Sequence, residues 1–211
     1  MDFEHELNQV LPADIPNREV LVSKAARHLA LIVEANQFLN LTRIVSPREA
    51  AIKHVLDSVL PWRLFAGAKH VVDAGTGAGF PGIPLALVLP DTRFTLAESI
   101  QKKARFVETA VAALELSNVT VAARRVEELT REEWPDIVTA RAFAPLPRAL
   151  ELLGPAIRKG TRALLYKGPD VDREIAEAER ESKKFRLRIG IGTRFALPDD
   201  MGSRTIVEIG I

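Results

Sequence analysis

Residues 71–82 read Val-Val-Asp-Ala-Gly-Thr-Gly-Ala-Gly-Phe-Pro-Gly. Two β-branched residues lead into Asp73, glycines follow at Gly75, Gly77 and Gly79, and an apolar, helix-like run begins at Phe80. Such a strand–turn–helix offers binding chemistry. Glycine lets the backbone approach a ligand closely, and the start of a helix leaves free N–H groups facing whatever sits there. An acid placed at the end of the next strand, Glu98, would complete a site for a nucleotide or nucleoside.

Two ligands compete for that turn. Gly77, Gly79 and Gly82 satisfy the G-x-G-x-x-G spacing of dinucleotide sites. Counted from Gly75, the glycine that follows the strand directly, that spacing fails. Asp73 stands where strand meets turn and gives Asp-x-Gly-x-Gly-x-Gly, the pattern of S-adenosylmethionine (SAM) methyltransferases. Tyr166, the chain's one tyrosine, is followed at once by Lys167, so no Tyr-x-x-x-Lys hydride-transfer pair exists. The SAM reading is favoured; a dinucleotide oxidoreductase, or a turn that merely packs helix on strand, stays open.

Composition narrows the chemistry. The 211 residues suffice for one full-sized domain with a real core. With no cysteine, structural disulfides, thiolate metal sites and methylation of pyrimidine carbon-5 through a cysteine adduct are excluded, and no metal is implied. A net charge of +1 provides no global field toward nucleic acid. Basic residues cluster only locally, at Lys102, Lys103 and Arg105, at Arg124 and Arg125, and from Arg180 through Arg188. No apolar run approaches a membrane span, and the acidic start Met-Asp-Phe-Glu lacks signal-peptide features, so a cytoplasmic location is expected.

The elements that must position the turn follow from periodicity. Residues 1–65 read as a helical extension or cap. Asn17 can cap a helix running to about Leu39, and Ser46-Pro47-Arg48-Glu49 combines a capping box with proline at the first helical position. From His70 onward strands and helices alternate. Strands are expected at 71–73, 93–98, 119–123, 136–140 and 163–166, and helices at 80–89, 102–114 and 171–184. Segments 187–191 and 205–209 alternate apolar and polar residues as an antiparallel pair. The expectation is an α/β doubly wound sheet, residues 66–211, with its cap in one compact unit.

In such a sheet the ligand lies beyond the carboxyl ends of the strands. That rule selects the glycine turn with Phe80, then Glu98 and Ser99, then Val126 and Glu127, then Arg141, then Lys167. A carboxylate at Glu98 can accept both ribose hydroxyls. Arg141, in Ala-Arg-Ala-Phe-Ala, stands alone among small apolar neighbours and needs a carboxylate or phosphate. The segment Arg141–Pro147 lacks the [DNS]-P-P-[YFW] motif of enzymes that methylate exocyclic amino groups. The target should therefore carry its own lone pair or be an easily activated oxygen.

Five separated motifs stand in order: Asn40-Leu41-Thr42, His54-Val55-Leu56-Asp57-Ser58, the run from Asp73 to Ala86, Arg141-Ala142-Phe143-Ala144, and Tyr166-Lys167-Gly168. Together they resemble the bacterial small-subunit ribosomal RNA guanine-7-methyltransferase family, first called glucose-inhibited division protein B. The resemblance implies the class I SAM-dependent methyltransferase fold, seven strands with the last antiparallel, and SAM as cofactor. It implies as substrate a guanine in the 530 loop of 16S rRNA, met in the small ribosomal subunit or an assembly intermediate. A monomer and no membrane partner are expected. The family's cofactor contacts fall on Gly75, Phe80, Glu98, Ser99, Ile100, Val126, Glu127 and Arg141, and its basic residues important for activity on Arg125, Arg141 and Lys167. Two departures stand out: the family usually has aspartate where Glu98 stands, and its lysine-rich tail is replaced here by Glu208-Ile-Gly-Ile.

Guanine N7 already presents an in-plane lone pair, so no proton need leave before attack, and the sequence shows no base near Arg141. Catalysis by positioning is the expectation, with Arg141 anchoring the cofactor carboxylate or a phosphate. His54 and Asp57, three apart on one helix, can touch each other. They serve either to stabilise that helix or, by the resemblance, the site. Phe80 and Phe143 are the aromatics best placed to stack on a base.

Overall fold

In a computed structural model that describes residues 2–211, seven strands form one sheet in the order β3-β2-β1-β4-β5-β7-β6. The strands are β1 His70–Ala74, β2 Arg93–Ala97, β3 Val119–Ala122, β4 Ile137–Arg141, β5 Arg162–Lys167, β6 Arg188–Ala196 and β7 Ser203–Gly210. β1 to β5 pair in parallel, and β7 runs antiparallel to both β5 and β6. β1 is buried on both faces, as its apolar run demands in the centre of a parallel sheet. The strand order reverses between β1 and β4, and there the glycine turn and Arg141 lie side by side.

Alternate strand residues feed two cores. Val71, Ile137, Leu164 and Ile206 face one, and Val72, Val138, Leu165 and Val207 the other. The first core is shared with the N-terminal helices α1 Phe3–Val10 and α2 Arg18–Leu39, and with α5 Gly82–Val88 and α6 Gln101–Ala113. Leu7, Leu21, Leu29 and Val55 thus sit in one apolar cluster with Ile83, Phe94 and Leu96. The second core is roofed by α7 Val126–Glu132, α8 Leu146–Ile157, α9 Val171–Glu177 and α10 Glu179–Phe185. No helix is long and apolar enough to cross a membrane among the described residues.

Several local expectations change. Neither Asn17 nor Ser46 caps through its side chain; Asn17 adopts a left-handed conformation and its amide reaches Leu87 O at 3.5 Å. The segment after Ser46 is composite: α3 Pro47–Ala50, a π-helical stretch Ala51–Leu56, then α4 Asp57–Val59. Helix α5 starts at Gly82, leaving Phe80 and Pro81 in the turn before it. The charged helix at 171–184 breaks into α9 and α10 at Ala178. Helix α8 had no counterpart in the sequence reading. Pro145, Pro147, Gly154 and Pro155 obscure it, yet Leu146, Leu150, Leu153 and Ile157 form its buried stripe.

Candidate active site

The glycine turn is shaped by positive backbone φ at Gly75, Gly77 and Gly79, of 66°, 62° and 100°. The glycines nevertheless do different things. A Cβ on Gly77 would meet nothing nearer than Gly75 O at 4.0 Å, so the chain is open above it. A Cβ on Gly79 would lie 2.5 Å from Ile83 Cδ1 and 3.1 Å from the His28 ring, so this glycine admits packing from beneath. On Gly82 it would lie 2.2 Å from Leu96 Cδ2, so here glycine brings α5 down onto β2. Gly75 is exposed but lies under Phe143, whose Cδ2 would be 3.0 Å from a Cβ there.

Two carboxylates brace the turn. Asp73 is fully buried; its Oδ2 accepts from Thr76 Oγ1 at 2.6 Å and from Gly82 N at 2.9 Å, tying strand end to helix start. Burial pushes its pKa up to about 6, against the pull of those two donors. Glu98 accepts from Gly77 N at 3.1 Å through Oε2 and from Ile100 N at 2.8 Å through Oε1. Each of its oxygens keeps acceptor capacity for a further donor. Ser99 and Ile100 are exposed beside it, Val126 is buried and Glu127 half-buried at the end of the next strand.

Phe80 is not available for stacking on a base. It is buried between two imidazoles, His54 stacked at 4.6 Å and His28 tilted at 4.9 Å, with the Arg141 guanidinium 5.4 Å from its ring centre. His28 also bonds Ala78 O through Nε2 at 2.8 Å. Burial holds both histidines neutral: His28 falls to about 4, and His54 to about 3 with added repulsion from Arg141. A histidine does therefore stand near Arg141, contrary to the sequence expectation, because a segment 87 residues upstream supplies it. It is too weakly basic to serve as a proton acceptor of consequence.

The expected His54–Asp57 pair does not form. In π-helical winding, residues three apart no longer share one face. His54 Nε2 meets Thr42 Oγ1 at 3.1 Å instead. Asp57, fully buried, receives Arg204 through Nε and Nη2 at 2.9 Å each and Arg141 Nη1 at 3.1 Å. Arg141 is thus not alone among apolar neighbours; its carboxylate partner is in the chain. Arg141 Nη1 also donates to Lys53 O at 2.9 Å, and Tyr166 Oη donates to Ser58 O at 2.7 Å, so β4 and β5 both grip this helix. Ala142, next in the chain, holds φ of 52°, a strained value for a residue with a Cβ.

Beyond the ends of β4 and β5 opens a cleft of about 840 Å³. Arg141, Phe143, Tyr166 and Lys167 line it together with His54, Asp57 and Arg204. Lys167 Nζ is held at 2.7 Å by both Ala144 O and Glu174 Oε2, and that same oxygen accepts Leu146 N. Arg125 is elsewhere: it is exposed, 3.9 Å from Glu127, and does not line the cleft. Arg124 is engaged by Glu132 in a two-pronged pair. The sequence reading missed His28, Arg204 and Glu174. Only a weak signal marked Arg204, at the start of the alternating last strand.

The residues fit SAM: an open glycine backbone, a carboxylate with spare acceptors opposite it, and a cleft alongside. The family model for rRNA small subunit methyltransferase G matches residues 21–188. The chain belongs to this family. Members of the rRNA small subunit methyltransferase G family are similar along most of its length. A protein named ribosomal RNA small subunit methyltransferase G from Solibacter usitatus (strain Ellin6076) is 63% identical, over 99% of this chain and 100% of its own. One of the same name from Carboxydothermus hydrogenoformans is 37% identical, over 86% of this chain and 79% of its own. Solved structures bear on the fold. An SAM-dependent O-methyltransferase from Thermotoga maritima superposes with TM-score 0.53 at 16% identity, over 85% of this chain and 71% of its own. Precorrin-6y C5,15-methyltransferase from Geobacter metallireducens superposes with TM-score 0.55 at 12% identity, over 72% and 85%. The fold is that of class I SAM-dependent methyltransferases, and the chain is an SAM-dependent methyltransferase of the rRNA small subunit methyltransferase G family.

Proposed function

We propose that this chain methylates N7 of a guanine in the 530 loop of 16S rRNA, acting on the small ribosomal subunit or an assembly intermediate. The observation that carries the reading is the adjacency of the Glu98-braced glycine turn and the Arg141–Lys167 cleft, in a chain of this family. Gly75 and Gly77 present backbone to the cofactor. Glu98 takes its ribose hydroxyls, and Ser99, Ile100, Val126 and Glu127 flank its base. Asp73 shapes the turn from beneath, with Gly79 and Phe80 as its packed footing. Bound SAM supplies an electrophilic methyl group on a sulfonium. The helical segment 1–65 and the sheet, 66–211, act as one unit, since they share a core.

What the protein adds is alignment. The reacting nitrogen has its own lone pair, so no general base is needed, and the imidazole nearest Arg141, His54, is held at a pKa of about 3 by burial and by Arg141. Positive charge passes to the guanine ring as the methyl group transfers, which disfavours a cation pressed against that ring. Arg141 therefore binds an oxyanion, and Lys167 is neutralised by Glu174. Arg125, out on the surface, serves RNA backbone contact. Holding nucleophile and methyl group in line is worth up to about 7–11 kcal/mol.

The test is transfer of a radiolabelled methyl group from SAM to 30S subunits lacking this modification, followed by nucleoside analysis. Label in 7-methylguanosine supports the reading. SAM binding without transfer to subunits or free 16S rRNA removes the substrate assignment.

A further inference from the structure

Arg141 is only half used. Each of its hydrogen bonds within the described residues runs through Nη1, to Lys53 O, to His54 O, to Asp57 and to Ser58 Oγ. Nε and Nη2 find no partner there. A guanidinium carries five donors in a rigid plane, so fixing one end fixes where the others point. Asp57 is the charged member of the set that fixes that end, beside Lys53 O at 2.9 Å, and Asp57 is itself oriented by Arg204, whose Nε and Nη2 grip its two oxygens in a fork. Arg204 comes from β7, 147 residues from Asp57 and across the sheet from β4.

The charges of this group do not cancel. One carboxylate, fully buried, faces two guanidiniums whose side chains are 14% and 23% exposed. The sum is one positive charge beside a cleft, with two nitrogens of Arg141, Nε and Nη2, left unused and three N–H donors between them. Uncompensated charge at such a place is costly unless an anion completes it. If Arg204 were absent, Asp57 and Arg141 would close as a neutral pair. The carboxylate, freed from its fork, could rotate and draw Nη2 inward.

We infer that Arg204, acting through Asp57, is a positioning residue that holds Arg141 with its outer edge free for a substrate or cofactor oxyanion. The inference deepens the proposed function and rests on that reading for the identity of the anion, either the SAM carboxylate or an RNA phosphate. The geometry of the three side chains stands independently of it.

The experiment is a double-mutant cycle of Arg204→Gln and Arg141→Gln. It reads S-adenosylhomocysteine binding by calorimetry, kcat and KM for 30S subunits, and thermal stability. Loss of a charge-assisted contact predicts a fall of about ten- to hundredfold in binding or in kcat/KM for each single variant. In binding and kcat/KM the double variant is expected to be no worse than R141Q alone, because Arg204 positions nothing once Arg141 is gone, while its melt should fall further as the buried Asp57 loses both cations. A weaker cofactor analogue names the carboxylate; a raised KM for subunits with unchanged analogue binding names the phosphate. Arg162→Gln, which removes the β5–β7 pair with Glu208, is the control and should leave both readouts alone. Additive losses, or an R204Q protein within twofold of wild type, would overturn the inference. Should R204Q fail to fold, R204K, which keeps the charge without the fork, carries the same cycle. Absence of any guanine methylation by the wild type would refute the function, while the binding arm of the cycle still decides the positioning.

Discussion

Gly77 and Gly79 look equivalent in the sequence, and the structure says they should fail differently. Gly79→Ala places a methyl group 2.5 Å from Ile83 Cδ1 and 3.1 Å from the His28 ring, at φ of 100°. The backbone strain costs about 1–3 kcal/mol and the overpacking a similar about 1–3 kcal/mol. A loss of about 2–6 kcal/mol is expected, out of a total stability of about 5–15 kcal/mol. For a chain of this size, at about 2–4 °C per kcal/mol, that lowers Tm by roughly 4–24 °C. Gly77→Ala has no neighbour within van der Waals contact, so only the left-handed strain of about 1–2 kcal/mol remains. Its methyl group instead occupies the open face of the turn, and cofactor affinity should fall at least about tenfold. Urea denaturation and calorimetric binding of S-adenosylhomocysteine on the two variants read both quantities. The reasoning is wrong if Gly79→Ala binds poorly at unchanged stability, or if Gly77→Ala is the less stable of the two with full affinity.

Lowering the pH should destabilise the fold on balance, although Asp73 of the turn is the first of the buried groups to take a proton in the folded state. His28 and His54 are neutral when folded, with pKa values of about 4 and 3, but take protons at their ordinary 6.5 when unfolded, so their stability contribution is present above pH 6.5 and declines below it. At pH 5 each costs about 2 kcal/mol, while Asp73, raised to about 6, protonates first in the folded state and returns about 1 kcal/mol. A net loss of about 2–3 kcal/mol between pH 7 and 5 is expected by chemical denaturation, and a flat profile would contradict it. Glu98→Gln should weaken S-adenosylhomocysteine by about tenfold and cost about 1–3 kcal/mol of stability, since the amide keeps one acceptor and sets its NH2 against the second of the two backbone N–H groups. Phe143→Ala should reduce kcat/KM for the RNA substrate by about five- to hundredfold, the worth of one stacked base. Phe80→Ala, by contrast, should show mainly as a loss of about 3–5 kcal/mol of stability in a melt, because its ring is clamped between histidines.

Local signals in the sequence were enough for the centre of the sheet. Val71-Val72-Asp73 and the glycines announce β1 and its turn, and the alternation in 205–209 announces the antiparallel strand. Helix α8 was hidden because Gly154 and Pro155 interrupt its stripe; Gly154 is there since a Cβ would lie 2.8 Å from the Phe185 ring of α10. That requirement is tertiary and leaves no local mark. The place of a candidate residue was legible wherever it depends on a strand end, as at Glu98, Arg141 and Lys167. It was illegible wherever it depends on who reaches across. Asp57 finds Arg141 and Arg204 from 84 and 147 residues away, and Phe80 is taken by His28 and His54 from helices that precede the sheet. Periodicity predicted a helix around residue 54 but not its π-helical winding, which set which side chains face the cleft.

That winding also constrains how the gene can change. A π-helical stretch amounts to one residue more than an α-helix of the same span would hold. Deleting a single residue between Ala51 and Leu56 would relax it to ordinary winding at little local expense. The wide turn takes up that residue, so everything after it would keep its place, with Asp57 still facing both arginines and Ser58 still meeting Tyr166. What would change is which side chains within the stretch face Phe80. The stretch from Ala51 to Leu56 is therefore expected to tolerate the loss of one residue better than the gain of one, since the winding has slack in one direction only, although it lies in a region with no glycine turn and no strand register to protect.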